Sequence, residues 1–186
     1  MIQLKRYTVA GIIFVWITGS LAHFLYAWTG NNSIAGLFTP VNESVWEHMK
    51  LLFFPMLLYS FFISVIFKSS RLCIASSLLW GNLAGTLLIP VFYYAYTFIL
   101  AKNIFILDIG IFILCTLIAF GLSYKLSESR ASCVHKIYAA LSACLALILL
   151  MCFIIFTIRP PGLKIFEDPA RTGATSEKPH SFPSFS

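Results

Sequence analysis

Charge is what this sequence has least of. Seven of its 186 residues are Asp or Glu and thirteen are Lys or Arg, so 11% are charged against 59% hydrophobic. A water-soluble domain of this length cannot cover itself with so little polar surface, which excludes an ordinary soluble globular protein. The net charge of +6 invites a nucleic-acid reading. The basic residues, however, fall in short clusters between apolar runs and not on one face, so no nucleic-acid partner is expected; they read as topology signals and anionic-lipid contacts. Catalytic signatures are also missing. The chain has neither H-E-x-x-H nor G-x-S-x-G, so it lacks both a zincin helix and a nucleophile elbow. Cysteines are odd in number, and Cys73, Cys115, Cys144 and Cys152 lie in apolar segments while Cys133 lies in a short polar loop. No disulfide framework follows, and Cys133-Val134-His135 offers too few ligands for zinc.

Long hydrophobic runs fill the space that charge vacates. Spans are predicted at about 7–28, 49–67, 72–100, 104–124 and 136–158, because roughly 20 apolar helical residues cross a hydrocarbon core about 30 Å thick. The expected fold is an all-α polytopic membrane bundle of about five helices, with the lipid bilayer as its partner. The first run exceeds a signal-peptide core and carries His23 where cleavage wants a small residue, so it is expected to stay as a helix. Thr29 to Pro40 reads as loop, with Thr39 as N-cap and Pro40 as the first residue of a second helix that Pro55 kinks. Ser77, Gly81 and Gly85 form a small-residue stripe suited to close helix packing, with Asn82 as an interhelical hydrogen-bond residue. A second stripe holds Ala139, Ala143, Ser142 and Ala146. Residues 159–186, rich in Pro, Ser and Thr, read as an extended or disordered extracytoplasmic tail. The tightest basic flanks are Lys5, Arg6, Lys68, Arg71, Lys125, Arg130 and Lys136, which puts the N-terminus in the cytoplasm and the C-terminus outside the cell membrane.

With that topology the polar residues of all five helices collect at the extracytoplasmic interface. His23 and Asp108 each lie four or five residues inside the outer end of a span, roughly 6 to 9 Å below the boundary. Ionisable groups at that depth are costly and usually face a partner or a cavity. Asn42, Tyr93, Tyr96 and Arg159 stand at the same level as candidate binding residues. The segment Pro40-Val41-Asn42-Glu43-Ser44-Val45-Trp46-Glu47-His48-Met49-Lys50 is the densest polar feature. On a helix beginning at Pro40, Glu43 and Glu47 share a face and repel unless a cation, a proton or a basic group lies between them. Glu43, Glu47 and His48 are therefore the candidate catalytic residues, and His23, Glu47 and Asp108 the candidate ligands of a divalent metal cofactor. A purely local account stands beside this one: acidic residues favour a helix N-terminus, and Ser44-Val45-Trp46-Glu47 fits a capping box.

The run from His23 to Asn32, the segment Leu37 to Leu51 with its N-E-S-V-W-E-H core, the cluster Tyr93-Tyr94-Ala95-Tyr96-Thr97, Asp108-Ile109 and the pair Pro160-Pro161 resemble an uncharacterised family of small bacterial multi-pass membrane proteins, a domain of unknown function. The likeness covers about Tyr7 to Pro169. It implies a membrane bundle but no activity, and it implies a His after the proline pair, where Gly162 stands. Three functions compete: a membrane-embedded, metal-dependent hydrolase acting on a lipid or lipid-linked substrate; a non-catalytic membrane subunit or sensor; and a small transporter component. Polar groups gathered at one depth, with no inverted repeat, weigh against the last.

Overall fold

A computed structural model describes residues 2–67, 71–129 and 136–169. The Cys133-Val134-His135 triplet and the tail beyond residue 169 lie outside these. The described chain holds six helices: α1 (Ile2–Trp28), α2 (Ser33–Phe38), α3 (Val45–Ile66), α4 (Arg71–Leu100), α5 (Phe105–Glu128) and α6 (Lys136–Ile158), followed by a 3-10 turn at Lys164–Phe166. No strand occurs among the described residues. Five helices, all but the short α2, are long and apolar enough to cross a membrane. The all-α fold and the five spans agree with the sequence.

Helices α3 and α4 form the centre, with more than half of their apolar windows buried, whereas α1, α5 and α6 are mostly exposed and form the outer wall. Sequence explains this layering. A Cβ added at Gly81 would meet the backbone oxygen of Ala119 at 2.3 Å, and one at Gly85 would meet the Ala119 Cβ at 2.6 Å. The glycine stripe is thus the groove into which α5 fits, as small-residue packing requires where lipid offers no hydrophobic drive between helices. Asn82 donates to the Phe53 carbonyl at 3.1 Å and ties α4 to α3, while Ser76 and Ser142 oxygens lie 3.3 Å apart between α4 and α6. Pro55 has no N–H and so leaves the Leu51 carbonyl without its helical donor. Gly19 of α1 packs directly on that oxygen; a Cβ there would sit 2.6 Å from it.

Four details differ from the sequence-based picture. The second span starts at Val45 with Ser44 as N-cap, because Thr39 instead closes the short helix α2. Residues predicted as plain loop contain that helix, whose N-cap Asn32 accepts from the backbone of Ile34 and Ala35. The tail is ordered at its start: Phe166 packs on Trp46 and Phe156, with ring centroids 5.0 and 5.5 Å apart. Cys73 is disulfide-bonded, which its apolar setting did not suggest.

The first turn of α3 is anchored by a fully buried ion pair. Lys50 Nζ donates to Glu47 Oε2 at 2.6 Å, to Thr157 Oγ1 at 2.6 Å and to the Gly36 carbonyl at 3.0 Å. An ammonium has three hydrogens, and each finds an acceptor, from α3, α6 and α2 respectively. Glu47 also accepts the Val41 N–H at 3.0 Å. Removing one member of such a pair leaves an uncompensated buried charge, at a cost of about 3 to 5 kcal/mol, whereas replacing both with apolar residues is often nearly neutral. Lys50→Met alone should therefore lower thermal stability in mild detergent far more than the double variant Glu47→Leu, Lys50→Met. Equal losses in the two would contradict this.

Candidate functional site

Residues Val41 to Ser44 form a short bridge between α2 and α3, pinned on both sides of Glu43. The Val41 N–H is held by Glu47, and the Ser44 N–H is held by Asn42 Oδ1 at 2.9 Å, an Asx turn. Ser44 in turn caps α3, its hydroxyl oxygen accepting the Glu47 N–H at 3.4 Å. This is half of a capping box, since the Glu47 carboxylate turns to Val41 and Lys50 instead of reaching back to Ser44. Glu43 is left outside the helix with a half-exposed side chain.

Two imidazoles close on that carboxylate. His48 Nε2 lies 3.4 Å from Glu43 Oε2, and His23 Nε2, from α1, lies 3.9 Å from Glu43 Oε1. The rings of His23 and His48 are 5.4 Å apart at their centroids. One ligand atom from each of His23, Glu43 and His48 fits within 4.8 Å of the others, making them a candidate metal triad among the described residues. Bonds near 2.0 to 2.1 Å in a tetrahedral site set two donors roughly 3.4 Å apart, so the contact of His48 with Glu43 already fits and His23 has to draw in toward both. His48 Nδ1 lies 3.0 Å from the Ser44 carbonyl. That bond requires the proton on Nδ1 and makes Nε2, which faces Glu43, the nitrogen available to a metal, the backbone-carbonyl support that metal-binding histidines use. His23 Nδ1 is buried with no hydrogen-bond partner among the described residues.

The triad opens on a cavity of about 520 Å³ whose walls come from α1, α3, α4 and α5. Its lining includes His23, Glu43, His48, Tyr93 and Asp108 together with Gly19, Leu51, Ile89 and Phe112. Asp108 Oδ1 accepts the Tyr96 hydroxyl at 2.5 Å. Tyr96 stands 2.8 Å from Asn103 Oδ1 as well and receives the Ile104 N–H at 3.4 Å, so one phenol fixes the turn between α4 and α5 and with it the carboxylate.

The structure thus brings together His23, Glu43, His48, Tyr93 and Asp108, and sets the other sequence candidates apart. Glu47 is committed to Lys50 and is not a lining residue, because a helix starting at Val45 no longer places it on one face with Glu43. Of the expected ligands His23, Glu47 and Asp108, His23 falls in the geometric triad with Glu43 and His48, and Asp108 lines the same cavity. Asn42 shapes the bridge, Tyr96 holds Asp108, and Arg159 is exposed away from the cavity. Lys50, one of the basic groups expected between the Glu43 and Glu47 carboxylates, pairs with Glu47. Two participants escaped sequence reasoning: Thr157, which completes that buried node, and Pro169, which lines the cavity from the tail.

Five membrane-length helices with an imidazole–carboxylate cavity at one end define a helical bundle of the membrane-protein class. Within that class the chain belongs to the family described as "Family of unknown function (DUF6512)", which matches residues 1–174. No curated protein and no solved structure matches it.

Because the Tyr96 hydroxyl bonds a carboxylate, Tyr96→Phe should cost about 1.5 to 3 kcal/mol, the usual worth of a hydrogen bond to a charged group. Arg159→Ala should stay within about 0.5 kcal/mol of the unaltered protein. Thermal unfolding in detergent checks the pair, and a Tyr96→Phe protein as stable as Arg159→Ala would show that Asp108 does not depend on Tyr96.

Proposed function

We propose that this chain is a multi-pass protein of the cell membrane that holds one divalent metal ion at His23, Glu43 and His48 and hydrolyses a lipid or lipid-linked substrate at the membrane interface. The observation that carries the reading is the convergence of two imidazoles and one carboxylate, from two separate segments, on the rim of a roomy cavity. Two His and one Glu form the protein ligand set of a class of catalytic zinc sites, in which a fourth position stays open. A divalent ion held there would polarise a carbonyl and acidify water. The protein's own residues supply the rest. Ser44 orients His48, Asn42 and Glu47 hold the bridge that carries Glu43, and Asp108 presents a carboxylate to the same cavity, where it can take a proton from the attacking water. Apolar walls exclude bulk water and strengthen each of these interactions.

A transporter is less well supported than a hydrolase. At the opposite end of the bundle the space among Tyr7, Tyr59 and Phe67 is only about 20 Å³, and the Tyr59 hydroxyl there donates to the Tyr7 carbonyl, closing the far side.

The basic flanks support an orientation. Lys50 is buried and paired, so it drops out of the count of headgroup cations. Seven stand at the N-terminal side, from Lys5 to Lys136, against Lys102, Arg159, Lys164 and the more distant Arg171 and Lys178. The balance supports a cytoplasmic N-terminus and a site outside. The disulfide at Cys73 runs the other way, since such bonds persist in oxidising compartments and Cys73 lies at the N-terminal side of the bundle. A reporter that works only outside the cytoplasm, fused after Ser186, decides: activity is expected, and silence of that reporter with activity of a cytoplasmic one reverses the orientation.

Metal analysis of the purified protein should find about one divalent ion per chain, as a three-ligand site with an open position binds a single ion. His23→Ala, Glu43→Gln and His48→Ala should each lose it, while Asp108→Asn should keep it and lose hydrolysis. Retention of metal by all three ligand variants would rule out the triad.

A further inference from the structure

The shape and charge of the cavity identify the kind of substrate and its route of entry. Helices α1 and α5 touch where Gly19 meets the ring of Phe112; a Cβ on Gly19 would stand 2.8 Å from that ring. Toward the triad both helices line the cavity, whose lining also includes the buried Leu51 and Ile89. The residues at its edge, Phe24, Phe105 and Ile109, line the cavity yet remain 53%, 67% and 45% exposed. They belong to helices whose other exposed side chains are almost all apolar, such as Ile13, Ile17, Leu21, Ile113 and Leu117. The opening therefore faces the hydrocarbon. From Phe105 to Phe112 the wall is eight residues of α5, about 10 Å long, which covers the headgroup linkage and the first carbons of a chain but not a whole acyl tail.

Charge selects the head. The described residues lining the cavity include Glu43 and Asp108 and no Lys or Arg. Phosphate-binding sites draw on Arg or Lys donors, and none stands here. A single divalent ion would balance these two carboxylates and leave no surplus positive charge for an anionic headgroup.

We infer that the site takes an uncharged ester- or amide-linked amphiphile, which enters sideways from the bilayer between α1 and α5, sets its carbonyl at His23, Glu43 and His48 and leaves the rest of its chain in lipid. This rests on the metal reading for the head and on the cavity alone for the chain. In a hydrolytic turnover water adds to the carbonyl carbon, the C–O or C–N bond breaks, the leaving alcohol or amine takes a proton, and the carboxylic acid departs.

The test uses the full chain in lipid nanodiscs with two photoactivatable probes, a diazirine-bearing monoacylglycerol and a diazirine-bearing lysophosphatidate, and maps adducts by mass spectrometry. The monoacylglycerol should label the α1 segment 19–24 and the α5 segment 105–112, about tenfold more than the lysophosphatidate, a preference equal to about 1.4 kcal/mol. Ile109→Trp, which fills the mouth, should abolish that labelling, while Ile148→Trp on the lipid face of α6 should not. Equal cavity labelling by both probes overturns the uncharged head, and adducts spread evenly around the bundle overturn the lateral mouth. Metal content measured on the same samples separates the two readings. Stoichiometric metal with scattered adducts sinks the entry route alone, whereas monoacylglycerol adducts confined to the cavity of a metal-free protein sink the metal and support the route.

Discussion

The buried pair of Lys50 and Glu47 is the contact on which the rest of this bundle depends. In an interior where two bare charges would each cost several kcal/mol, the pair persists because every donor and most lone pairs are used. Lys50 reaches α2 through Gly36 and α6 through Thr157, and Glu47 reaches the bridge through Val41. One ion pair thereby fastens the first turn of α3 to the segment before it and to the last long helix. Because this node fixes the bridge, Glu43 projects outward to meet His23 and His48.

The same economy explains why polar chemistry is confined to one end. At the opposite end and along the middle, some serine hydroxyls bond back to their own helices, as Ser64 does to Ser60 and Ser123 to Ala119. Pro55 opens α3 at Leu51, and Gly19 answers by bringing α1 onto the freed carbonyl. Gly19 also meets the Phe112 ring of α5 and lines the cavity, so a backbone defect in one helix and a missing side chain in another shape its wall. His23 and Asp108 each lie one helical turn from that contact, on α1 and α5. Each has an answer to its desolvation, a carboxylate for the imidazole and a phenol for the carboxylate.

Much of this was legible in the sequence because depth follows from position along an apolar run. The five spans, the small-residue stripe as a packing surface for a neighbouring helix, the interhelical role of Asn82 and the shared level of His23 and Asp108 all come from spacing and length. What could not be read was the local path of the chain between residues 29 and 45. Thr39-Pro40 carries a strong helix-start pattern, yet Asn32 and Ser44 supply better caps on either side, and five residues of difference at the start of α3 exchange the roles of Glu43 and Glu47. The ordering of the first tail residues was equally hidden, since a Pro- and Gly-containing stretch gives no sign that Phe166 will find Trp46.

The central claim is that His23, Glu43 and His48 ligate one metal ion, and X-ray absorption at the edge of the metal carried by the purified protein tests it most directly. The account predicts an inner shell with two imidazole nitrogens and carboxylate oxygen, at distances near 2.0 to 2.2 Å if the ion is zinc. One imidazole should vanish from that shell in His48→Ala. A shell without imidazole scattering, or the same shell in the unaltered protein and the variant, would contradict it.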